Sequence, residues 1–574
     1  MEIEWSKVSN TLYPVRISHG GNTAGIPHFY QVSFLQEVRP TRDWIRGART
    51  GVDATLTRRI KEIKVESLVT TRSGIIRTYT LSYGDAPPGG APDGLQSMLV
   101  AVGSTAQPTQ SFVYTPDERG YAEAATVARP SWAYDHLRLV NDRAEVSQTV
   151  MDMNGDGVLD LVRSSGHAAF RWSVWFGTAN ATTASFSSAP TLWTLPVKWD
   201  RIRGADSWVN CDGRGGTGTL GRRDTFDITG DGIPDRIEIT FDDWTIYRGR
   251  STPSWGFGDP EDWTGPEDIE DLRRTCDRDT FRDVVDMNAD GLPDLVVSDR
   301  TRSGPPYIWN VYFNTGSGFL ASPAPFSSPI NALTDHRTGY GPVSQLMDFN
   351  GDGLPDLVAS GPRATNSVFD QRCSPSATQQ ASCLEIYHHT GQGFAPIPVL
   401  LAVPRSNSLQ LRVTPGEKVV QDLFDINGDG LPDWVYRRPF GSGYESAWRV
   451  LLNVGGAFEP LVYVPDADVP AVQNEGIPAR VWNIAEQYIR ESQTNGSSTA
   501  DVIDINGDGL LDHVLAGSAN WTVRLNGATE RPNMLALAEN GLGATNNLRY
   551  APSTQFDNTG VSPGAAATSL TCRR

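Results

Sequence analysis

The stretch DINGDGLPD, Asp425 to Asp433, is one of six copies of a nine-residue pattern, and its recurrence decides how the chain folds. The others are DMNGDGVLD (Asp152 to Asp160), DITGDGIPD (Asp227 to Asp235), DMNADGLPD (Asp286 to Asp294), DFNGDGLPD (Asp348 to Asp356) and DINGDGLLD (Asp504 to Asp512). Position 1 is always Asp: Asp152, Asp227, Asp286, Asp348, Asp425 and Asp504. Position 3 is Asn154, Thr229, Asn288, Asn350, Asn427 and Asn506. Position 5 is Asp156, Asp231, Asp290, Asp352, Asp429 and Asp508, and position 9 is Asp160, Asp235, Asp294, Asp356, Asp433 and Asp512.

Three carboxylates and an amide oxygen within nine residues, around a glycine turn, make the all-oxygen donor set that Ca²⁺ prefers. Side chains at positions 1, 3, 5 and 9 and the carbonyl of position 7 are the expected ligands, so about six structural Ca²⁺ sites are expected. Two carboxylates about 4 Å apart repel by roughly 4 kcal/mol at an effective dielectric near 20. A divalent ion reverses that sign. Mg²⁺ fits less well because it demands stricter octahedral geometry and holds its waters. Plain Asx turns would explain Asn, Asp and Gly, but not the same acid at position 9 in every copy. An EF-hand is disfavoured by the β-prone flanks, such as Val284-Val285 before a loop and Leu295-Val296-Val297 after it. The second copy, with Thr229, is expected to be the weakest site.

The copies start 75, 59, 62, 77 and 79 residues apart, the period of a supersecondary unit. A hydrophobic strand enters each loop and another leaves it. A later alternating strand ends in a Gly turn: WNVYFNTGSGF (Trp309 to Phe319), LEIYHHTGQGF (Leu384 to Phe394), WRVLLNVGGAF (Trp448 to Phe458) and the shorter WTVRLNG (Trp521 to Gly527). Four short antiparallel strands repeated radially make a β-propeller. The chain is therefore expected to be all-β, with a propeller of about six four-stranded blades, or seven if the upstream hairpin RRIKEIKVESLV and SGIIRTYTLSYG joins the ring. The expected division is a leader over 1–28, a small β-sandwich-like or blade-closing segment over 29–125, the propeller over 126–528, and the start of a following region over 529–574.

The formal net charge of −18 over 574 residues is largely the charge of the loops, which hold three carboxylates each. It argues against a nucleic-acid partner, which needs a cationic footprint. No run of 18 apolar residues is present, so no membrane-spanning helix is expected, and the first residues lack the layout of a signal peptide. Cys373 and Cys383 can close a local disulfide or remain free thiols. Calcium loading favours an extracellular setting.

The loops followed by N-T-G-x-G-F resemble the FG-GAP or VCBS repeats of integrin-type propellers. RRIKEIKV, RTYTLSYG and LQSMLVAVG before the repeats, and NGLGATNNLRYAPST after them, resemble the SpvB-like region of the B component of bacterial Tc insecticidal toxins (TcdB-like), shared with related RHS-repeat toxins. The resemblance covers about residues 29–560. It implies a secreted toxin component whose propeller closes one end of a hollow β-shell, the shell enclosing a toxic segment. It also implies docking onto a pore-forming partner through which the cargo leaves, and calcium at loop positions 1, 3, 5 and 9. The chain departs from this pattern in having no Y-D-x-x-G-R motif and no RHS repeat, so a truncated segment is expected.

Catalytic motifs are absent: there is no H-E-x-x-H, G-x-S-x-G or Walker lysine. Gly213, Gly215 and Gly218 match G-x-G-x-x-G only formally, and Glu2 and Glu4 are expected to lack any β context. His388 and His389 are neighbours on a strand and are expected to face opposite sides. Trp309, Trp448 and Trp521 are expected between blades, whereas Trp193, Trp199, Trp208, Trp255 and Trp263 are candidates for a partner surface. The expected function is a non-enzymatic scaffold. The alternative is a calcium-dependent adhesin or integrin-like propeller binding a host protein or glycan.

Overall fold

The structure, a computed structural model, describes residues 1–550 apart from several short stretches and the longer ones 85–97, 362–380 and 459–479. The described residues form strands and turns only, with no helix among them. No helix is long and apolar enough to cross a membrane.

Each acidic loop joins the first two strands of a four-stranded antiparallel unit. The first unit runs Val146–Met151, Asp160–Arg163, Arg171–Trp175 and Thr191–Thr194. The second is Gly216–Phe226, Asp235–Thr240, Asp243–Arg250 and Gly256–Trp263. The third is Asp279–Val285, Asp294–Ser298, Tyr307–Tyr312 and Ala324–Ser328. The fourth is Ser344–Met347, Asp356–Gly361, Ala381–Tyr387 and Val399–Pro404. The fifth is Gln421–Phe424, Asp433–Tyr436, Trp448–Leu451 and Arg480–Trp482. The sixth takes Ser498–Ile503, Asp512–Leu515 and Asn520–Arg524 from the C-terminal side, and its fourth strand, Ala125–Ala128, from before the first unit.

That borrowed strand ties the two ends of the repeat array together, and the packing agrees. Six apolar clusters each bridge two consecutive units. Trp172 and Trp193 meet Tyr247 and Phe257; Ile237 and Trp244 meet Leu295; Val296 and Trp309 meet Leu357. Val358 meets Trp434, Val435 and Trp448 meet Val502, and Trp521 returns to Leu161 and Trp175 of the first unit. The pairs Leu161-Val162, Leu295-Val296 and Leu357-Val358 are fully buried because adjacent strand residues point to opposite faces, and both faces here meet a neighbour. A strand covered on both sides reads as a continuous apolar run.

The upstream segment pairs separately from the units of the ring. It forms one antiparallel sheet of nine strands: Glu2–Val8, Thr11–His19, Tyr30–Val38, Arg58–Ser67, Gly74–Tyr83, Leu99–Ser104, Gln110–Tyr114, Leu535–Glu539 and Thr545–Asn547. Residues 2–19, expected as a leader, supply two of these strands, so Glu2 and Glu4 stand in a sheet after all. Alternation in EIEWSKV is masked by charge at its exposed edge. Two antiparallel crossings join sheet to ring. The Thr115 N–H donates to the Met534 carbonyl at 2.7 Å, and the Ala122 N–H to that of Leu525 at 2.8 Å.

Trp521 is fully buried at the contact that closes the ring. Trp521→Ala is expected to cost about 3–5 kcal/mol, read as a lowered midpoint in denaturant unfolding. A loss no larger than that of an exposed Trp5→Ala control would contradict the closure described.

Candidate functional site

Every loop folds on the same scaffold of backbone hydrogen bonds. The position-1 carboxylate caps the turn: Asp152 accepts the N–H groups of Gly155 (2.8 Å) and Gly157 (2.7 Å), and Asp425 those of Gly428 and Gly430 (both 2.7 Å). Asp227, Asp286, Asp348 and Asp504 do the same for their position-6 glycines. The position-5 carboxylates, Asp156, Asp231, Asp290, Asp352, Asp429 and Asp508, each accept the N–H of position 7 at 2.8–2.9 Å. Position 6 lies at φ between 84° and 89° in all copies, which glycine alone adopts without strain. Position 4 is also left-handed, and in the third loop Ala289 takes it at φ 59°.

The ninth residue is a clasp. Asp160, Asp235, Asp294, Asp356, Asp433 and Asp512 are all 0 % exposed. In each unit Oδ1 accepts a backbone N–H at the end of the third strand or just past it: Gly177, Gly249, Asn314, His389, Asn453 or Asn526, at 2.7–3.0 Å. In five units Oδ2 accepts the N–H of position 2, from Met153, Ile228, Met287, Ile426 and Ile505. In the fourth it faces the His388 ring at 3.2 Å.

The asparagine of N-T-G-x-G-F extends this clasp across units, a role the sequence reading missed. Asn314 Nδ2 donates to the Ile228 carbonyl of the preceding loop (2.8 Å), Asn453 to Phe349 (2.7 Å) and Asn526 to Ile426 (2.8 Å). His389 holds that place in the fourth unit, its ring beside the Met287 carbonyl. Burial lowers it to about 4, and its neutral Nδ1 accepts the Gly391 N–H at 3.0 Å. In the first two units a glycine is required, because a Cβ on Gly177 would stand 2.4 Å from the Leu159 carbonyl and one on Gly249 2.5 Å from that of Pro234. The only available signal was the Asn at one fixed offset after each late strand.

Among the described residues no group of three or more His, Cys, Asp or Glu side chains forms a metal cage as it stands. At position 3, Asn154, Asn288, Asn427 and Asn506 turn Nδ2 toward the position-5 carboxylate (2.8–3.2 Å), Asn350 turns toward His388, and Thr229 has no amide to offer. The donor chemistry nevertheless fits a hard cation. Burial, reinforced by the sister aspartates, raises Asp160 and Asp512 to about 8 and Asp294 to about 7. Asp235, Asp348 and Asp504 rise to about 6 for the same reason, and Asp433 is raised strongly. Carboxylates held this way resist ionisation unless positive charge compensates them.

The tryptophans divide differently from expectation. Trp309, Trp448 and Trp521 lie between units, but so do Trp193 and Trp263, which are buried and form no partner surface. Trp255 packs partly buried against Trp193; Trp199 and Cys373 lie outside the described residues. Cys383 is disulfide-bonded, and so is Cys276.

Residues 286–359 match the FG-GAP-like repeat, and residues 482–571 match the insecticide toxin TcdB middle/N-terminal region. The chain resembles the Tc toxin TcdB component. The Tc holotoxin pore of Photorhabdus luminescens superimposes with a TM-score of 0.61 at 14 % identity, over 96 % of this chain and 24 % of that one. A crystal structure of TcdB2–TccC3 matches at 14 % identity over 95 % of this chain and 24 % of that chain, with a TM-score of 0.47. The chain thus spans about a quarter of these solved chains. At such identity the likeness to the holotoxin pore is one of fold. No curated protein matches the sequence.

Raised carboxyls bind protons more tightly folded than unfolded, where Asp titrates near 3.9. Without metal their penalty is absent below about pH 4 and grows as pH rises through 6 to 8. In chelator, the melting temperature is therefore expected to be higher at pH 5.5 than at pH 8, and added Ca²⁺ to flatten or reverse that trend. Melts in EDTA that rise toward pH 8 would refute the assignment.

Proposed function

We propose that the chain is a non-catalytic, calcium-stabilised propeller scaffold of a Tc/RHS-type toxin, which docks onto a pore-forming protein and gates a toxin-enclosing shell. The observation that carries the reading is the match of residues 482–571 to the TcdB middle/N-terminal region. That segment includes the sixth unit, which closes the ring, and the two strands that return to the N-terminal sheet. One part of the chain thus holds propeller and sheet together, an arrangement a free-standing binding propeller does not need. A pore-forming partner is proposed from the fold shared with the Tc holotoxin pore. Secretion is supported by the disulfide-bonded Cys276 and Cys383, since such bonds persist in oxidising compartments. Calcium at loop positions 1, 3, 5 and 9 is supported by the oxygen-only donor set and by the buried, charge-crowded position-9 carboxylates.

Two measurements test the proposal. Ligand at a hundredfold over Kd adds about 2.7 kcal/mol per site, so EDTA is expected to lower the melting temperature substantially and Ca²⁺ to restore it. An unchanged curve rejects the calcium part. For docking, the protein is mixed with a cognate Tc pore-forming component and the complex is sought by size exclusion and electron microscopy. Attachment through the ring is expected. Failure to associate, together with binding to host glycans or surface proteins, would favour the adhesin reading instead.

A further inference from the structure

The first strands of the units carry a second pattern, three residues before each acidic loop. That position holds Asp224, Asp283, Asp422 and Asp501 in the second, third, fifth and sixth units, Gln345 in the fourth and Thr149 in the first. Each aspartate accepts the N–H of the residue after it at 2.8–3.0 Å, which orients its carboxylate. Arginines from the segments alongside complete the set. Arg203 is the neighbour of the register pair Gly204–Arg223, Arg273 of Arg274–Arg282, and Arg490 of Glu491–Ala500, so each lies across from the aspartate of its own unit.

The resulting ion pairs link successive units. Arg203 lies 3.6 Å from Asp224; Arg273 joins Asp224 to Asp283. Arg412 reaches Asp422 at 3.1 Å, and Arg490 joins Asp422, at 2.9 Å, to Asp501. An arginine of this set thus stands between the carboxylate of its own unit and that of the unit before.

The first unit breaks the pattern. Arg138 is the neighbour of the register pair Leu139–Gln148, which puts it across from Thr149, and its backbone bridges to Ser498 of the sixth unit. Among the described residues no ion pair holds Arg138; Asp224 and Asp501 act on it only at longer range. Arg203 bridges Val146, three residues before Thr149, just as Arg273 pairs with Gly221, three residues before Asp224. Where the second and fifth units hold a carboxylate between two arginines, Thr149 thus brings a hydroxyl and no charge between Arg138 and Arg203. Five arginines here face four aspartates, in a chain of net charge −18. Burial lowers both Arg138 and Arg203, and Arg138 is one of the cations that lower Arg203 further. Both are partly exposed, so solvent and solutes reach them.

We propose that an oxyanion from outside the fold, a carboxylate or a sulfate-like group, binds between Arg138 and Arg203 at the place where Thr149 stands instead of the aspartate that four other units carry. Two sources share this chemistry, an acidic side chain of a peptide and a free inorganic ion.

The test titrates sodium sulfate, and separately an acetylated, amidated tetraglutamate peptide, into the 574-residue protein at constant free calcium. Sodium chloride at matched ionic strength is the control, and calorimetry and thermal unfolding are the readouts. At least one probe is expected to bind and to raise the melting temperature beyond the chloride control. Thr149→Asp supplies the missing carboxylate in place. It is expected to raise the melting temperature without any added anion and to weaken anion binding by about tenfold or more, the scale of one lost charge-assisted contact. Arg138→Gln is expected to weaken binding by a similar factor without that stabilisation. Peptide binding identifies an acidic chain as an occupant; sulfate binding alone confines the site to small oxyanions, and either result supports it. No binding of either probe overturns the proposal, as does wild-type binding in any variant that still unfolds cooperatively. Should Thr149→Asp fail to fold, Arg138→Gln decides by itself, because it alters a partly exposed side chain that no ion pair holds among the described residues.

Discussion

In all six units a fully buried aspartate at loop position 9 accepts a backbone N–H from the end of the third strand of its own sheet or just beyond it, and in five it also accepts one from its own loop. The rest of the ring depends on that contact. A carboxylate away from water is tolerable only when hydrogen bonds or positive charge replace its hydration. The loop must therefore close on the aspartate, and the third strand must end where its N–H can reach. Because the asparagine at that strand end then donates to the preceding loop, the units are linked loop to loop as well as core to core.

Charge is segregated within this frame. Acid concentrates in the loops and arginine near the first strands, where buried Asp422 is shared between Arg412 and Arg490. Breaking such a buried set by removing one member is costly, since the partners remain desolvated and unpaired. The same frame explains why the tryptophans are interior. A unit with two covered faces needs large apolar volume on both, and Trp172 and Trp175, three residues apart on one strand, serve opposite neighbours.

Some of the site was legible and some was not, for identifiable reasons. The loop turns follow from Gly at position 6 and Asp at positions 1 and 5, all local features. Trp193 and Trp263 were misjudged because their segments look irregular in sequence, while both are covered by the next element in space. The strands at 2–19 were missed because their exposed, charged edge hides the alternation. Asn314 reads as a turn former, and its contact with Ile228 lies 86 residues away.

By itself the sequence determined that the protein is all-β, that it repeats six times, and that each repeat carries an acid set placed at the head of its second strand. Those properties are written in spacings of two to nine residues. The tertiary structure alone decided that Ala125–Ala128 completes the last unit beside Asn520–Arg524, that strands from both ends of the chain share one sheet, and that Thr149 leaves a gap among paired charges. Pairings separated by hundreds of residues leave no local period. They arise because an open strand edge and a half-covered apolar face each need a partner, and only the closed ring brings the right ones within reach.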